Sequence, residues 1–161
     1  MSETEFQTPA WVGDIMVSLV EGNPSHFLEP TPGEGNLVAA IKRRYPHAEI
    51  LAPKRFELCE ISPVDWVIMN PPFRPTPLGY DILKRCFQFS GNIIALMPWV
   101  ALINGEKRTN DYLEKGLKEV WHLPRIAFPG ARVQTCILKF CQDYCGEILL
   151  KFAKKSTEEL R

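Results

Sequence analysis

The sequence predicts an α/β layered fold on a largely parallel sheet, and three observations carry that prediction. Two runs, VDWVIM (64–69) and NIIALMP (92–98), are apolar almost without interruption, as strands covered on both faces are. Segments with helical spacing, NLVAAIKRRY (36–45) and GYDILKRCFQF (79–89), alternate with them. Strands separated by helices give layered α/β architectures with helices on both faces of the sheet. At 161 residues the chain suits one compact domain, 1–161, with no length to spare for a second.

The elements follow in order. Trp11, Ile15, Leu19 and Val20 share a helical stripe, so a first helix is expected over Pro9–Val20, with Pro9 in its first turn. SHFLE (25–29) reads as a short strand and PTPGEG (30–35) as a loop. The helix at 36–45 must end before Pro46. AEILA (48–52) is a second strand, and RFELC (55–59) is expected as a further one. After the strands and helix named above, a helix is expected around Asn110–Leu117, followed by KEVWHL (118–123). VQTCILKFC (133–141) and EILLKF (147–152) are strands with no helix between them. They are therefore expected to form an antiparallel hairpin at the C-terminal edge of the sheet.

Composition narrows the function classes. Hydrophobic residues make up 45% and charged residues 24%, the balance of a folded soluble protein. The longest apolar runs are too short to span a membrane, and the opening MSETEF lacks the basic-then-apolar pattern of a secretory signal. Five cysteines without a CxxC pair point to reduced thiols in a cytoplasm, with neither a disulfide framework nor a metal site. Lys plus Arg equals Asp plus Glu at 19 each, which argues against strong autonomous binding to nucleic acid. A local basic rim or a separate partner could still supply that grip.

Two stretches are built like sites. In FLEPTPGEGNL (27–37), Glu29 closes a strand as an acceptor and glycines follow where backbone must turn tightly. The helix beginning near Asn36 then aims free N–H groups at the loop. In DWVIMNPPF (65–73), a buried strand stops on two prolines that cannot donate hydrogen bonds. Asn70 offers a side-chain carbonyl oxygen and Pro71 a main-chain one, two acceptors suited to a planar NH₂ group. Phe73 offers a face for a flat ring. No strong base accompanies them, so the chemistry would rest on positioning and electrostatics.

Together FLEPTPGEG and DWVIMNPPF resemble two motifs of the S-adenosylmethionine-dependent amino-group methyltransferases. Within these the chain is most similar to the DNA adenine-N6 enzymes, and above all to the modification subunits of type I restriction systems. TPAWV (8–12) and MPWVALINGEKRTNDYLEKGLKEVWHLPRIAFPGARVQTCILKF (97–140) extend the resemblance over most of the chain. It implies a Rossmann-like class I methyltransferase fold with S-adenosyl-L-methionine as cofactor and no metal. It also implies that Glu29, Pro30, Gly33 and Gly35 line the cofactor loop, with Thr8 and Pro9 closing over the methionine end. The catalytic corner would be Asn70, Pro71, Pro72 and Phe73, Asn70 also bordering the cofactor and Phe73 stacking on a flipped base. DNA would be the partner, held weakly by this chain alone or with a separate recognition subunit. An RNA base or a protein glutamine could present the same amine, and a catalytically silent domain is the contrasting reading.

This chain departs from the family pattern after its second strand. AEILAPK (48–54) carries proline and lysine where an acid for the cofactor ribose is expected, and Glu57 or Glu60 is a candidate for the acid that contacts the cofactor adenine. Arg74, Lys84, Arg85, Arg125 and Arg132 are candidates for a basic rim, and RPTPLG (74–79) for a substrate contact or lid. Trp99 is a candidate pocket wall. Trp11, Trp66 and Trp121 are expected in the core, and His26, His47 and His122 receive no catalytic role.

Overall fold

A computed structural model describes residues 6–156. The strands are β1 (His26–Leu28), β2 (Glu49–Leu51), β3 (Trp66–Met69), β4 (Ile93–Pro98), β5 (Leu117–His122), β6 (Thr135–Phe140) and β7 (Leu149–Phe152). The helices are α1 (Ala10–Ser18), α2 (Asn36–Arg44), α3 (Thr76–Cys86), α4 (Trp99–Ile103) and α5 (Glu106–Glu114). The strands form one seven-stranded sheet in the order β2-β1-β3-β4-β6-β5-β7. Pairings from β2 through β4 are parallel, while β6 runs antiparallel to both β4 and β5.

Two apolar layers sandwich the sheet. On one face α1 and α2 place Val12, Met16, Leu37 and Ile41 against Phe27, Trp66 and Ile68. On the other, α3, α4 and α5 place Leu83, Cys86, Ala101 and Tyr112 against Val67, Met69 and Ala95. Successive residues of β3 therefore feed opposite layers, and all four are buried. That is why this strand lacks hydrophobic–polar alternation.

The predicted class and its antiparallel element are present, but several details differ. The final two strands do not pair with each other. Instead β6 is antiparallel to both β4 and β5, and β7 lies at the edge parallel to β5. A long-range hydrogen bond explains this: the Cys141 N–H donates to the Gly116 carbonyl at 3.0 Å, so β6 ends beside the start of β5. The chain must then cross that end to add β7 on the far side. RFELC is a 3-10 turn at Phe56–Leu58 rather than a strand, because Phe56 turns inward to the α3 layer while Glu57 and Leu58 face solvent. The helix expected near 110–117 starts earlier, at Glu106, and a short helix, α4, precedes it. Gly116, at a φ of +83°, ends that unit. Trp66 is buried as expected, whereas Trp11 and Trp121 are partly exposed. No described helix is long and apolar enough to cross a membrane.

Candidate active site at the carboxyl edge of the sheet

The chain moves outward from β1 to β2 in one direction and from β3 to β4 in the other. The strand order therefore reverses between β1 and β3, where their carboxyl ends leave a crevice. Glu29 follows β1 directly and Asn70 follows β3 directly, so both sequence motifs end at that crevice. A hydrogen bond joins them: the Thr31 hydroxyl donates to the Asn70 main-chain carbonyl at 3.2 Å.

The Asn70 side chain is held by its nitrogen. Nδ2 donates to Thr8 Oγ1 at 2.9 Å and to the Phe6 carbonyl at 3.1 Å. A carbonyl can only accept, so the NH₂ must face it and Oδ1 must point the other way. Among the hydrogen bonds of the described residues, neither Asn70 Oδ1 nor the Pro71 carbonyl is used. Two acceptors thus remain available at the end of β3. Pro71 is buried, Pro72 and Phe73 are half-buried, and Phe73 packs against the layer that contains Phe128 and Leu123. The α3 helix is pressed onto this corner, since a Cβ at Gly79 would lie 3.0 Å from the Pro72 carbonyl oxygen.

The loop after β1 is tied down by the N-terminal segment. Asn36 Nδ2 donates to the Thr8 carbonyl at 3.0 Å, and the Glu34 N–H donates to Gln7 Oε1 at 3.2 Å. Gln7 was not singled out in the sequence; its place directly before Thr8–Pro9 is the signal that could have found it. Thr8 is buried, and its hydroxyl anchors Asn70. Pro9 stands at the N-cap of α1.

Gly33 and Gly35 both adopt positive φ, 51° and 87°. A Cβ at Gly33 would meet Gln7 Oε1 at 2.9 Å, while one at Gly35 would enter open space. Gly35 is also the N-cap of α2, and no side chain caps that helix. Its first N–H groups and its positive dipole end therefore face the loop unscreened.

Glu29 is 1% exposed, and Pro30 is buried beside it. Burial lifts the Glu29 carboxyl to about 8, against the pull of the hydrogen bond that the Thr31 N–H donates at 2.8 Å and of the Thr31 hydroxyl, which shares its single proton between Glu29 at 3.3 Å and the Asn70 carbonyl. The carboxyl is mostly neutral at pH 7 in this state.

On the second strand's side, β2 ends at Leu51 and Ala52-Pro53-Lys54 follow. Glu57 is exposed and paired with Arg55 at 3.2 Å, and Glu60 is exposed. The expected basic rim is not assembled as such. Arg85 lies on the Phe56 ring at 4.6 Å and donates to the Cys59 carbonyl, and Lys84 lies over Tyr80 on the flank of α3. Arg74, Arg125 and Arg132 are exposed. Trp99 opens α4 and donates through its indole N–H to His122 Nδ1 at 2.9 Å, so His122 fixes the indole. His26 instead lies between Glu49 and Asp65. All five cysteines are free, and no group of residues able to hold a metal occurs among the described residues.

This sheet, with its order reversed at β1/β3 and an antiparallel strand inserted between β4 and β5, is a fold shared with solved methyltransferase structures. The chain superimposes on a protein described as a class I S-adenosylmethionine-dependent methyltransferase from Listeria monocytogenes, with a TM-score of 0.71 at 15% identity over 98% of this chain and 68% of that one. It matches a modification subunit described as part of a type I restriction enzyme from Vibrio vulnificus, with a TM-score of 0.74 at 15% identity over 97% of this chain and 48% of that one. The type I restriction-modification methyltransferase subunit from Streptococcus thermophilus gives 0.72 at 16% identity, over 94% and 49%. The chain thus spans about half the length of these two subunits. No protein-family model and no curated protein matches it by sequence.

Proposed function

We propose that this chain transfers a methyl group from S-adenosylmethionine to an exocyclic amino nitrogen, with N6 of adenine in DNA as the target that the sequence resemblance favours. The observation that carries this reading is how Asn70 is held: Thr8 and Phe6 bind its NH₂, and neither its side-chain oxygen nor the Pro71 carbonyl has a partner among the described residues.

The residues present fit the cofactor on one side of the crevice. Gly35 leaves room where any side chain would protrude, α2 presents free N–H groups, and Glu29 offers a carboxyl. Pro30, Gly33 and Gly35 would form the cradle, and Thr8 and Pro9 its cover. When bound, S-adenosylmethionine supplies an electrophilic methyl group. Asn70 Oδ1 and the Pro71 carbonyl accept the two N–H bonds of the target amine and direct its lone pair outward along the line of transfer. Pro72 keeps the corner rigid, and the Phe73 ring provides a face for the base. Holding the amine this way requires an adenine to leave its stack.

The test is transfer of labelled methyl to plasmid DNA, ribosomal RNA and a protein extract in parallel, with identification of the modified nucleoside or side chain. Label on adenine N6 in DNA alone supports the full reading. Label on an RNA base or on glutamine keeps the chemistry and changes the substrate. A specific feature favours a second reading, a domain that keeps the fold without catalysis: no acid stands at the end of β2. Calorimetry separates the two, because a folded chain that gives no heat with S-adenosylmethionine is the silent one.

Two substitutions probe the site's parts. Gly35→Val forces a β-branched residue into a left-handed conformation, at a cost of about 1–2 kcal/mol, and fills the open space. It should weaken cofactor binding at least about tenfold; unchanged affinity by calorimetry would place the cofactor elsewhere. Thr8→Val removes the acceptor that orients Asn70. It should lower turnover about tenfold, the equivalent of one lost polar contact, with little change in cofactor affinity. Valine keeps the bulk of the cover, so equal losses in both would mean that the Thr8 hydroxyl acts on the cofactor itself rather than through Asn70.

A further inference from the structure

A cleft of about 430 Å³ lies outside the crevice, between α3 and α5 on the opposite flank from α1 and α2. Tyr80, Phe87 and Tyr112 wall it, and Lys84, Lys107 and Lys115 stand along its length. Its charge is unbalanced within a chain of zero formal net charge. Lys84 lies over the Tyr80 ring at 5.5 Å, Arg108 over the same ring at 4.4 Å, and Lys115 over Phe87 at 5.4 Å. Among the described residues none of these cations, nor Lys107, is in an ion pair. The acid in the lining, Asp111, accepts the Tyr80 hydroxyl at 2.8 Å. The Tyr112 hydroxyl is buried with no hydrogen-bond partner.

The N-terminal end of α3 connects the cleft's wall to the corner after β3. Gly79 packs against the carbonyl of Pro72, and Tyr80 is the next residue along α3. Lys107 and Lys115 are eight residues apart, about 12 Å along a helical path. Cations interleaved with aromatic rings along such a groove are the chemistry that holds single-stranded nucleic acid.

We propose that the α3/α5 cleft binds the sugar-phosphate backbone of a single nucleic-acid strand leading away from the target nucleotide. Lys84, Lys107 and Lys115 neutralise phosphates of that strand, and the half-buried rings of Tyr80 and Phe87 border it beneath their cations. This rests on the reading of the chain as a nucleic-acid methyltransferase, but its test does not depend on methyl transfer.

Fluorescence anisotropy of a labelled 12-nucleotide single-stranded DNA, over a salt series, is compared between wild type and a Lys84→Glu/Lys107→Glu/Lys115→Glu variant. The expected result is at least a tenfold loss of affinity in the variant, with the salt slope smaller by about 2. Circular dichroism and calorimetry with S-adenosylmethionine on the same variant show that fold and cofactor site are intact. A milder Lys→Gln triple variant replaces it if the charge reversal does not fold. Equal affinity in wild type and variant, or no wild-type binding at low salt, overturns the proposal. So does competition by adenosine monophosphate as strong as by unlabelled oligonucleotide, which would make the cleft a small-anion site. Strand binding through the cleft without methyl transfer to any nucleic acid would keep the cleft and remove the catalytic reading.

Discussion

Asn70→Ala is expected to lower the methyl-transfer rate by about 10²–10³ while leaving cofactor affinity within a few-fold of wild type. The side chain is fixed at its nitrogen by Thr8 Oγ1 and the Phe6 carbonyl, so its carbonyl oxygen costs no reorganisation when an amine arrives. Alanine removes that oxygen and the tether together. Because the lost contact is made to the reacting nitrogen, the loss should fall on kcat rather than on binding of the methyl donor. Single-turnover transfer and calorimetry on the same preparation measure both. Asn70→Asp sharpens the result: it keeps an oxygen but cannot donate to the Phe6 carbonyl, so it should also be slow. A mutant with wild-type turnover would remove Asn70 from the mechanism.

The second large effect concerns Glu29 and pH. Burial holds this carboxyl near 8 in the folded chain, whereas an unfolded chain releases the proton near 4.5. Between those values the folded state binds the extra proton, so its stability is fully present below pH 4.5 and falls as pH rises towards 8. The slope approaches about 1.4 kcal/mol per pH unit for this one group. Glu21 acts oppositely and elsewhere. The Cys141 thiol and the Lys118 ammonium hydrogen-bonded to it lower its carboxyl to about 2, so its contribution is lost as pH falls from 4.5 to 2. Glu29→Gln should therefore flatten the decline between pH 5 and 8 and leave the acid limb in place, as read by urea denaturation at several pH values. A wild-type stability that rises over that range would contradict a buried neutral carboxyl. If the proposed function holds, a cationic cofactor beside Glu29 favours its ionised form. Binding at pH 7 should then release a proton, detectable as a heat that depends on the ionisation enthalpy of the buffer.

Much of the site could be read because its residues are punctuation as well as chemistry. Asn70-Pro71-Pro72 must end a strand, and Gly33 and Gly35 must make a turn, so each motif marked its own place at a strand's carboxyl end. The partner of each was less legible. Nothing local to Asn70 says that Thr8, sixty-two residues earlier, accepts from its amide. Nor does local sequence show that Gln7 lies against Gly33, that Trp99 reaches His122, or that Lys84 faces Lys107 and Lys115 across a cleft. The rim expected from Arg85 failed for the same reason: a helix places a side chain by its angle, and only the neighbouring 3-10 turn supplied the Phe56 ring on which it rests.

By itself the sequence determined the alternation of strands and helices, the two-sided burial of β3 and β4, and the corners where the backbone cannot continue. These follow from hydrophobic periodicity, from the fixed φ of proline and from the left-handed freedom of glycine, all of which act within a few residues. Tertiary structure alone decided that β6 enters between β4 and β5, that β7 joins the outer edge, and that the Asn70 amide nitrogen is held by Thr8 and the Phe6 carbonyl. Those choices depend on which distant groups satisfy a hydrogen bond or cover an apolar face, and such partners exist only once the chain has closed on itself.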